Sequence, residues 1–404
     1  MQIPIFASLG LVSPLIANAG AATYTPVLPP SYPLAVRSPY LSGIHPPCQI
    51  NIQADPSTAW MPGNQVANLA TATPQFWTGA NLTWSVLARV DGTAYKLFGA
   101  PESLQGSIEA ELVSAEYTST HSIFTLNAGG AVFGLDFFSP VSPKNYLRQS
   151  LPFGYLTVSV SGDGAKIQIY SDVDESWTGQ AGQTVRNLNI SKGVVFELSV
   201  DNAVTYEEMN DMALWGDVVF ASRPENLSIV TYQSGNPASV RGQFASNGTL
   251  SVSAPTFVTG DVVGISHDLG EISNASVTFA MGYVREEAIN YLGNARTGYY
   301  RASYHDIVSA VSYFFDDYAA ANAESFVIDS EVEKKAMATA GTNYSDILTL
   351  TVRQVFGGSD LTIPGDSLDT SDVMVFLKEI SSDGNVNTCE LFLRRTSQGI
   401  EMLT

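Results

Sequence analysis

The sequence predicts a mainly β N-terminal region, a large antiparallel β-sandwich, followed by a helical segment. Three observations carry the β and α parts. From about Asn81 to Phe279, apolar and polar residues alternate with a period of two. Turn signals rich in Gly, Asn and Asp interrupt that alternation. After Gly282 the apolar spacing changes to that of a helix.

Each segment has its own signature. Residues 1–22 read as a secretory signal peptide, an apolar run over 3–16 preceding the small-residue sequence Ala17-Asn18-Ala19. Residues 23–80 form a proline-rich arm (Pro26, Pro29, Pro30, Pro33, Pro39, Pro46, Pro47) with an atypical insertion at 43–57. Proline fixes φ and removes a donor, so the arm is expected to run extended, as a linker or packed across a domain surface.

Residues 81–282 are the sandwich. Leu156, Val158 and Val160 alternate with Thr157, Ser159 and Ser161, and residues 194–200 and 275–279 repeat the pattern. One face of each strand is expected to be buried and the other wet. Turns are expected at Asn127-Ala128-Gly129-Gly130, Ser161-Gly162-Asp163-Gly164 and Ser246-Asn247-Gly248-Thr249, which supply residues tolerant of positive φ.

Residues 283–388 turn helical. Ile307, Val308, Val311, Phe314, Phe315 and Tyr318 share one helical face, with Ser303 the expected N-cap and Asp306 in the first turn. A second helix is expected around 344–356. A third is expected near Thr370, where Ser371 and Asp372 precede Val373, Val375, Phe376 and Leu377. Three helices are too few to close a toroid, so their apolar faces are expected to be exposed and the chain to aggregate. Residues 389–404 are an atypical tail.

The 404 residues carry a net charge of -20 although only 14% are charged. Such a surface repels nucleic acid and anionic membranes, which reward Lys and Arg clusters. No later run is long and apolar enough for a membrane anchor. Six Asn-x-Ser/Thr sequons, at Asn81, Asn189, Asn226, Asn247, Asn274 and Asn343, fit a secreted, extracellular glycoprotein. The two cysteines, Cys48 and Cys389, do not make a disulfide scaffold.

No nucleophile elbow, zinc pattern, P-loop or dinucleotide fingerprint is present, so no cofactor and no metal is implied. His45, His121, His267 and His305 are scattered without ligand spacing, and structural roles are expected for them. Asp172 and Asp174 are expected at a solvated strand end, and Asp316 and Asp317 on the solvated side of a helix. Asp366, Asp369 and Asp372 are expected in a loop and helix start. Arg37 and Arg353 are candidates for binding a substrate carboxylate, since a guanidinium matches it in a bidentate geometry. Trp60 is a further binding candidate, although it and Trp77 read more readily as core aromatics.

Several long motifs carry a resemblance: residues 30–41 (PSYPLAVRSPYL), Trp60-Met61-Pro62-Gly63-Asn64, Phe76-Trp77-Thr78-Gly79 and residues 84–92 (WSVLARVDG). Ser266-His267-Asp268-Leu269-Gly270, residues 339–354, Asp366-Ser367-Leu368-Asp369 and residues 380–387 (ISSDGNVN) extend it. The chain resembles the fungal secreted glutaminase A family from about Pro30 to Thr388. That resemblance implies a β-sandwich domain before an α/α toroid of the six-hairpin glycosidase type, and hydrolysis of L-glutamine to glutamate and ammonia. Within the family-like Asn343-Tyr344-Ser345-Asp346, Asp346 is the candidate catalytic carboxylate, with a helix-start charge as its alternative.

The resemblance also implies that the toroid continues beyond Thr388, so this chain is expected to be a truncated, inactive form. Residues 43–57 and 389–404 depart from the family pattern, and both are expected to be gene-model errors; a spliced transcript encoding them unchanged would refute this. Two rival functions stand beside the amidohydrolase. One is a six-hairpin-type glycoside hydrolase, which needs two carboxylates across a cleft. The other is a non-catalytic carbohydrate-binding or docking sandwich, whose signature would be an exposed, coplanar Trp77, Trp84 and Trp177. The expected partner is accordingly a small-molecule amide or a glycan.

Overall fold

The computed structural model describes residues 32–44, 69–76, 79–99, 101, 104, 106–180, 182–190, 193–225, 228–378, 392–396 and 399–403. The expected signal peptide, Trp60, Trp77, His45, Cys48, Cys389, Asn226 and insertion residues 45–57 lie outside them.

In chain order the strands are β1 (Val36–Ser38), β2 (Leu41–Ile44), β3 (Gln75–Phe76), β4 (Trp84–Val90), β5 (Thr93–Phe98), β6 (Ile108–Glu109), β7 (Glu111–Tyr117), β8 (His121–Ala128) and β9 (Ala131–Phe138). After helix α1 (Tyr146–Ser150) come β10 (Phe153–Asp174), β11 (Gln183–Ile190), β12 (Gly193–Val200), β13 (Glu208–Met209), β14 (Met212–Ala213), β15 (Asp217–Ser222) and β16 (Ile229–Gly235). Helix α2 (Pro237–Asn247) leads to β17 (Val262–Val284), β18 (Ile289–Tyr291) and β19 (Asn294–Gly298). Helices α3 (Ile307–Ala340) and α4 (Thr342–Gly357) precede β20 (Ser359–Pro364) and β21 (Met374–Leu377), and β22 (Phe392–Thr396) pairs with β23 (Gly399–Leu403).

Two long strands organise the sandwich. β10 and β17, 22 and 23 residues long, pair antiparallel and run through both layers. The first half of β10 pairs with β9 and its second half with β4. The second half of β17 pairs with β15 and its first half with β16. One layer therefore reads β7-β8-β9-β10-β17-β15-β12-β11 and the other β6-β5-β4-β10-β17-β16.

The strands change layer at a bulge, where the register jumps from Ser161 opposite Asn274 to Ala165 opposite Ile272. Ser161-Gly162-Asp163-Gly164 is thus a kink inside β10 and not the turn the sequence suggests. Gly164, at φ 75°, supplies the left-handed residue that bends a strand without ending it. Asn127-Ala128-Gly129-Gly130 does close the β8–β9 hairpin, with Ala128 opposite Ala131 and positive φ at both glycines. Ser246-Asn247-Gly248-Thr249 ends a helix instead of a strand: the Gly248 N–H bonds the Phe244 carbonyl at 2.7 Å and caps α2.

Inward-facing Leu156, Val158, Val160, Ile167, Ile169, Val277 and Phe279 join the central core with Trp84 and Trp177. The outer faces are wet only in part: β7 and β11 keep exposed positions, but the middle of the sheet does not. Every residue from Phe153 to Val158 is buried, because α3 lies across that layer with Val311, Phe314 and Phe315 against Tyr155, Val195 and Val219. On the other layer α2 sets Val240 and Phe244 against Leu87 and Tyr170. The alternation survives in the sequence because Thr157, though buried, keeps its hydroxyl within reach of the Thr278 and Tyr318 hydroxyls, at 3.3 and 3.1 Å. The described residues 32–41 of the arm are all buried.

The helical face expected over Ile307 to Tyr318 is the one that packs on the sandwich. Its cap is Asp306, whose carboxylate accepts the Ser309 N–H at 2.9 Å, and not Ser303. Ser303 belongs to the preceding tight turn, its N–H held by the Tyr300 carbonyl. The change to helix also comes later than Gly282, since β18 and β19 intervene. The third helix is absent: residues 374–377 form β21, which pairs with β20 through Thr362 and Met374. An available sheet edge satisfies the backbone of this β-branched, aromatic stretch better than an isolated turn of helix does. Along the helical hairpin, Phe326, Val327, Met337 and Ile347 are exposed.

Candidate functional site

The end of β17 feeds a charged triplet, Arg285-Glu286-Glu287, into the small sheet β18-β19-β20-β21. Arg285 turns inward and is fully engaged. It bonds Asp360 at 2.6 Å and the Ala288 carbonyl at 2.8 Å, and its guanidinium lies 4.4 Å from the Tyr40 ring centroid and 5.5 Å from that of Trp215. Burial opposes the charge of Arg285, but Asp360 and the neighbouring tyrosines outweigh it and hold the pKa above the ordinary arginine value. Tyr40 donates in turn to Glu208, which Lys378 also contacts. Burial disfavours the Glu208 anion, yet the hydrogen bonds from Lys378 and Tyr40 win and lower its pKa. The arm, the β13–β14 hairpin and the small sheet are thereby locked together.

Glu286 and Glu287 point the other way, onto a cavity of about 370 Å³. Its wall consists of Glu286, Glu287, Ala295, Arg296, Thr297, Arg301, Gly365, Asp366 and Leu368. Arg301 is held by Glu286 at 2.8 Å, and Glu287 accepts from the Tyr206 hydroxyl at 2.9 Å. Arg296 is pinned to the Thr362 hydroxyl at 3.0 Å and the Asp372 carbonyl at 2.7 Å. The Gly365 N–H bonds the Ala295 carbonyl at 2.9 Å and so folds the 365–368 turn over the rim. Thr297 is 3% exposed, and its hydroxyl has no hydrogen-bond partner among the described residues. The wall carries acid–base groups of both signs, with Glu286, Glu287 and Asp366 exposed and Arg296 and Thr297 buried.

The sequence-derived candidates sit elsewhere. Arg37, 3% exposed, donates to the carbonyls of Pro140, Arg148, Gln149 and Leu151 at 2.5–3.1 Å, and burial lowers its pKa to about 10. Arg353, 1% exposed, donates to the carbonyls of Ser119 and Thr118 and to the Ser122 hydroxyl; burial again lowers its pKa to about 10. Both tie the frame together. Asp346 is half-buried in the first turn of α4, away from the cavity wall.

Several carboxylates differ from the expected solvated ones. Asp172 is fully buried, paired with Arg241 at 2.6 and 2.9 Å and bonded by the Tyr170 hydroxyl at 2.6 Å. Asp174 accepts from the Ser176 N–H and caps a short turn. Asp317 clamps Arg148 at 2.5 and 2.8 Å and so fastens α3 to α1, whereas Asp316 is exposed as expected and pairs with Arg223 at 2.6 Å at the surface. Asp369 and Asp372 lie in the turn before β21, and no helix starts there.

His267 is buried between the Ser222 hydroxyl, 2.7 Å from Nε2, and the Ser228 hydroxyl, 3.3 Å from Nδ1; burial lowers its pKa to about 3. This pair has no access to a substrate. His121 pairs with Asp136 at 2.9 Å. Among the described residues no group of three or more His, Cys, Asp or Glu is placed to hold a metal ion. Trp84 and Trp177 are buried edge to face, 5.6 Å apart, which removes two of the three rings a carbohydrate platform would need.

Glu286, Glu287, Arg296, Arg301 and Thr297 were not singled out from the sequence. The available signal was the Arg285-Glu286-Glu287 triplet itself, three charges in a row closing an apolar strand in a chain so poor in charge.

A β-sandwich continued by a helical hairpin defines the class, and comparison with known proteins agrees. Residues 120–335 match a domain of unknown function, DUF5127, and residues 341–396 match the glutaminase A six helical-hairpin domain. The chain is 33% identical over 400 residues to glutaminase A of Aspergillus oryzae (strain ATCC 42149 / RIB 40), covering 94% of this chain and 55% of that protein. It is 26% identical over 418 residues to a probable glutaminase of Arthroderma benhamiae (strain ATCC MYA-4681 / CBS 112371), covering 93% and 45%. The chain belongs to the fungal glutaminase A family. It spans about half the length of these relatives. Among solved structures, heparan sulfate lyase HepC of Pedobacter heparinus matches 59% of this chain and 32% of that one at 7% identity and a TM-score of 0.28, too low to carry an argument.

Proposed function

We propose that the chain serves the hydrolysis of a small-molecule amide, L-glutamine to L-glutamate and ammonia, as the sandwich-bearing part of a glutaminase A-like amidohydrolase. The observation that carries this reading is the 33% identity to glutaminase A over 94% of the chain. The cavity supports it with carboxylates able to act as general base or acid beside guanidiniums able to hold a carboxylate. The test is ammonia release from L-glutamine by the chain, and by a chimera joining it to the C-terminal region of the Aspergillus oryzae relative. Activity in either supports the reading, and inactivity of both, with folded protein, refutes it.

We also propose export and N-glycosylation. Asn81, Asn189, Asn247, Asn274 and Asn343 are all exposed, so a glycan at each meets no packed neighbour. No helix among the described residues is long and apolar enough to cross a membrane. Expression in a secretory eukaryotic host, followed by peptide-N-glycosidase treatment, is expected to lower the mass; an unchanged mass would refute the glycosylation.

A further inference from the structure

We infer that the glycan proposed for Asn189 guards an open edge of the sandwich, and that without it a second copy of this chain pairs there, β11 against β11. This rests on the N-glycosylation reading and gives one glycan a task. A terminal strand presents unpaired N–H and C=O groups to any other strand, so sheet edges are blunted by bulges, charges, short length or a cover. The layers end in β7, β11, β6 and β16, and all but β11 are treated so. β7 carries a bulge between Leu112 and Ser114 and the exposed charges Glu111 and Glu116. β6 is only two residues long. β16 is covered by the following segment: the Ser253 carbonyl accepts the Ser234 N–H at 3.0 Å, and the Ser253 N–H donates to the Tyr232 carbonyl at 3.2 Å.

β11 has none of these devices. Its eight residues run in unbroken register, from Gln183 opposite Val200 to Ile190 opposite Gly193, and among the described residues it pairs with β12 alone. α3 packs on one face of it, at Leu188 and Ile190. Its one charge, Arg186, is drawn to Glu197 across the strand pair and so does not repel a second copy. What β11 does carry is Asn189, exposed, in the sequon Asn189-Ile190-Ser191. An added strand lies about 4.8 Å from the one it joins, so a glycan on Asn189 fills the space that strand would take. Two-fold pairing of the edges meets that obstacle twice, once from each copy.

The test is expression of the 404-residue chain in a secretory eukaryotic host, peptide mapping of glycan occupancy at Asn189, and light-scattering mass as a function of concentration. Asn189→Gln and Ser191→Ala remove this glycan in different ways, and Asn247→Gln removes one at the end of α2. The first two variants are expected to self-associate with a dissociation constant roughly tenfold or more below the parent's, and Asn247→Gln to match the parent. Adding Thr184→Lys, a charge at an exposed position of β11, to Asn189→Gln is expected to restore the parent's mass. The inference is overturned if Asn189 is unoccupied in the parent, if Asn189→Gln associates no more than the parent or Asn247→Gln does, or if Thr184→Lys leaves its association unchanged. The two readings fail separately. Glycans on the chain with an indifferent Asn189→Gln remove the guard and keep the glycosylation, whereas a chain without any glycan removes both.

Discussion

Tyr155 lies flat on Phe314, with ring centroids 3.7 Å apart and planes within 5°, and the Tyr155 hydroxyl donates to the Phe314 carbonyl at 2.5 Å. One residue is near the start of the long strand β10, the other on the helix laid across it. The contact is where the helical segment becomes part of the sandwich core. Phe314→Ala is expected to cost about 3–5 kcal/mol, the usual range for deleting a buried ring. Chemical denaturation would measure it, and a cost below about 1 kcal/mol would show that the helix does not stabilise the sheet.

Arg353 makes a second tie, reaching from α4 to the carbonyls of Thr118 at 2.9 Å and Ser119 at 3.1 Å. Arg353→Met removes the donors and strands these acceptors, so a loss of about 3 kcal/mol is expected. Arg353→Lys is expected to recover only part of it, since one ammonium cannot span what the fork spans. Hydrogen exchange of α4, faster in both variants and fastest in Arg353→Met, would check the order.

His267 predicts an acid limb. Its folded pKa is about 3, against an ordinary value of 6.5, because burial disfavours the imidazolium. Above pH 6.5 the group is neutral in both states and its contribution is fully present. As pH falls from 6.5 toward 3 the unfolded chain takes up a proton that the folded one refuses, so stability drops by about 1.4 kcal/mol per pH unit from this group. His267→Gln is expected to flatten that part of the profile, read as melting temperature between pH 7 and pH 4.

Asp329 predicts the opposite slope. Burial raises its carboxyl pKa above the ordinary 3.8, despite hydrogen bonds from Thr118 and Thr120 and the nearby His121 and Arg353. Its folded state prefers the proton, so its contribution is present below the ordinary value and is lost as pH rises through the folded pKa. Asp329→Asn is expected to be more stable than the parent at pH 7, with the difference shrinking toward pH 4. A variant less stable than the parent at pH 7 would contradict this.

What could be read from the sequence followed from local chemistry. Period-two alternation marked the sandwich, the glycine pair at 129–130 marked a hairpin, and the spacing from Ile307 to Tyr318 marked the packed face of α3. Each of these signals acts over a few residues. The bulge at 161–165 was misread as a turn, because a kink and a chain reversal ask for the same glycines. The strand at 374–377 was misread as a helix, because its partner, β20, was not visible from its own residues.

The candidate site was illegible for the same reason. Alone, the sequence determined the family, the two-part architecture and the acidic, sequon-bearing surface, since motifs, periodicity and charge are properties of the chain read in order. Only the tertiary structure decided which charges are used and which are offered. Arg37 and Arg353 look like ligand groups in one dimension but meet carbonyls in three, and Asp172, which reads as a solvated strand end, is buried against Arg241. Glu286, Glu287, Arg301 and Thr297 acquire a shared cavity only when β17, β19 and the 365–368 turn converge. A buried charge must find its partner wherever the fold places one, and that partner is often more than a hundred residues away in sequence, as with Arg37 and Gln149.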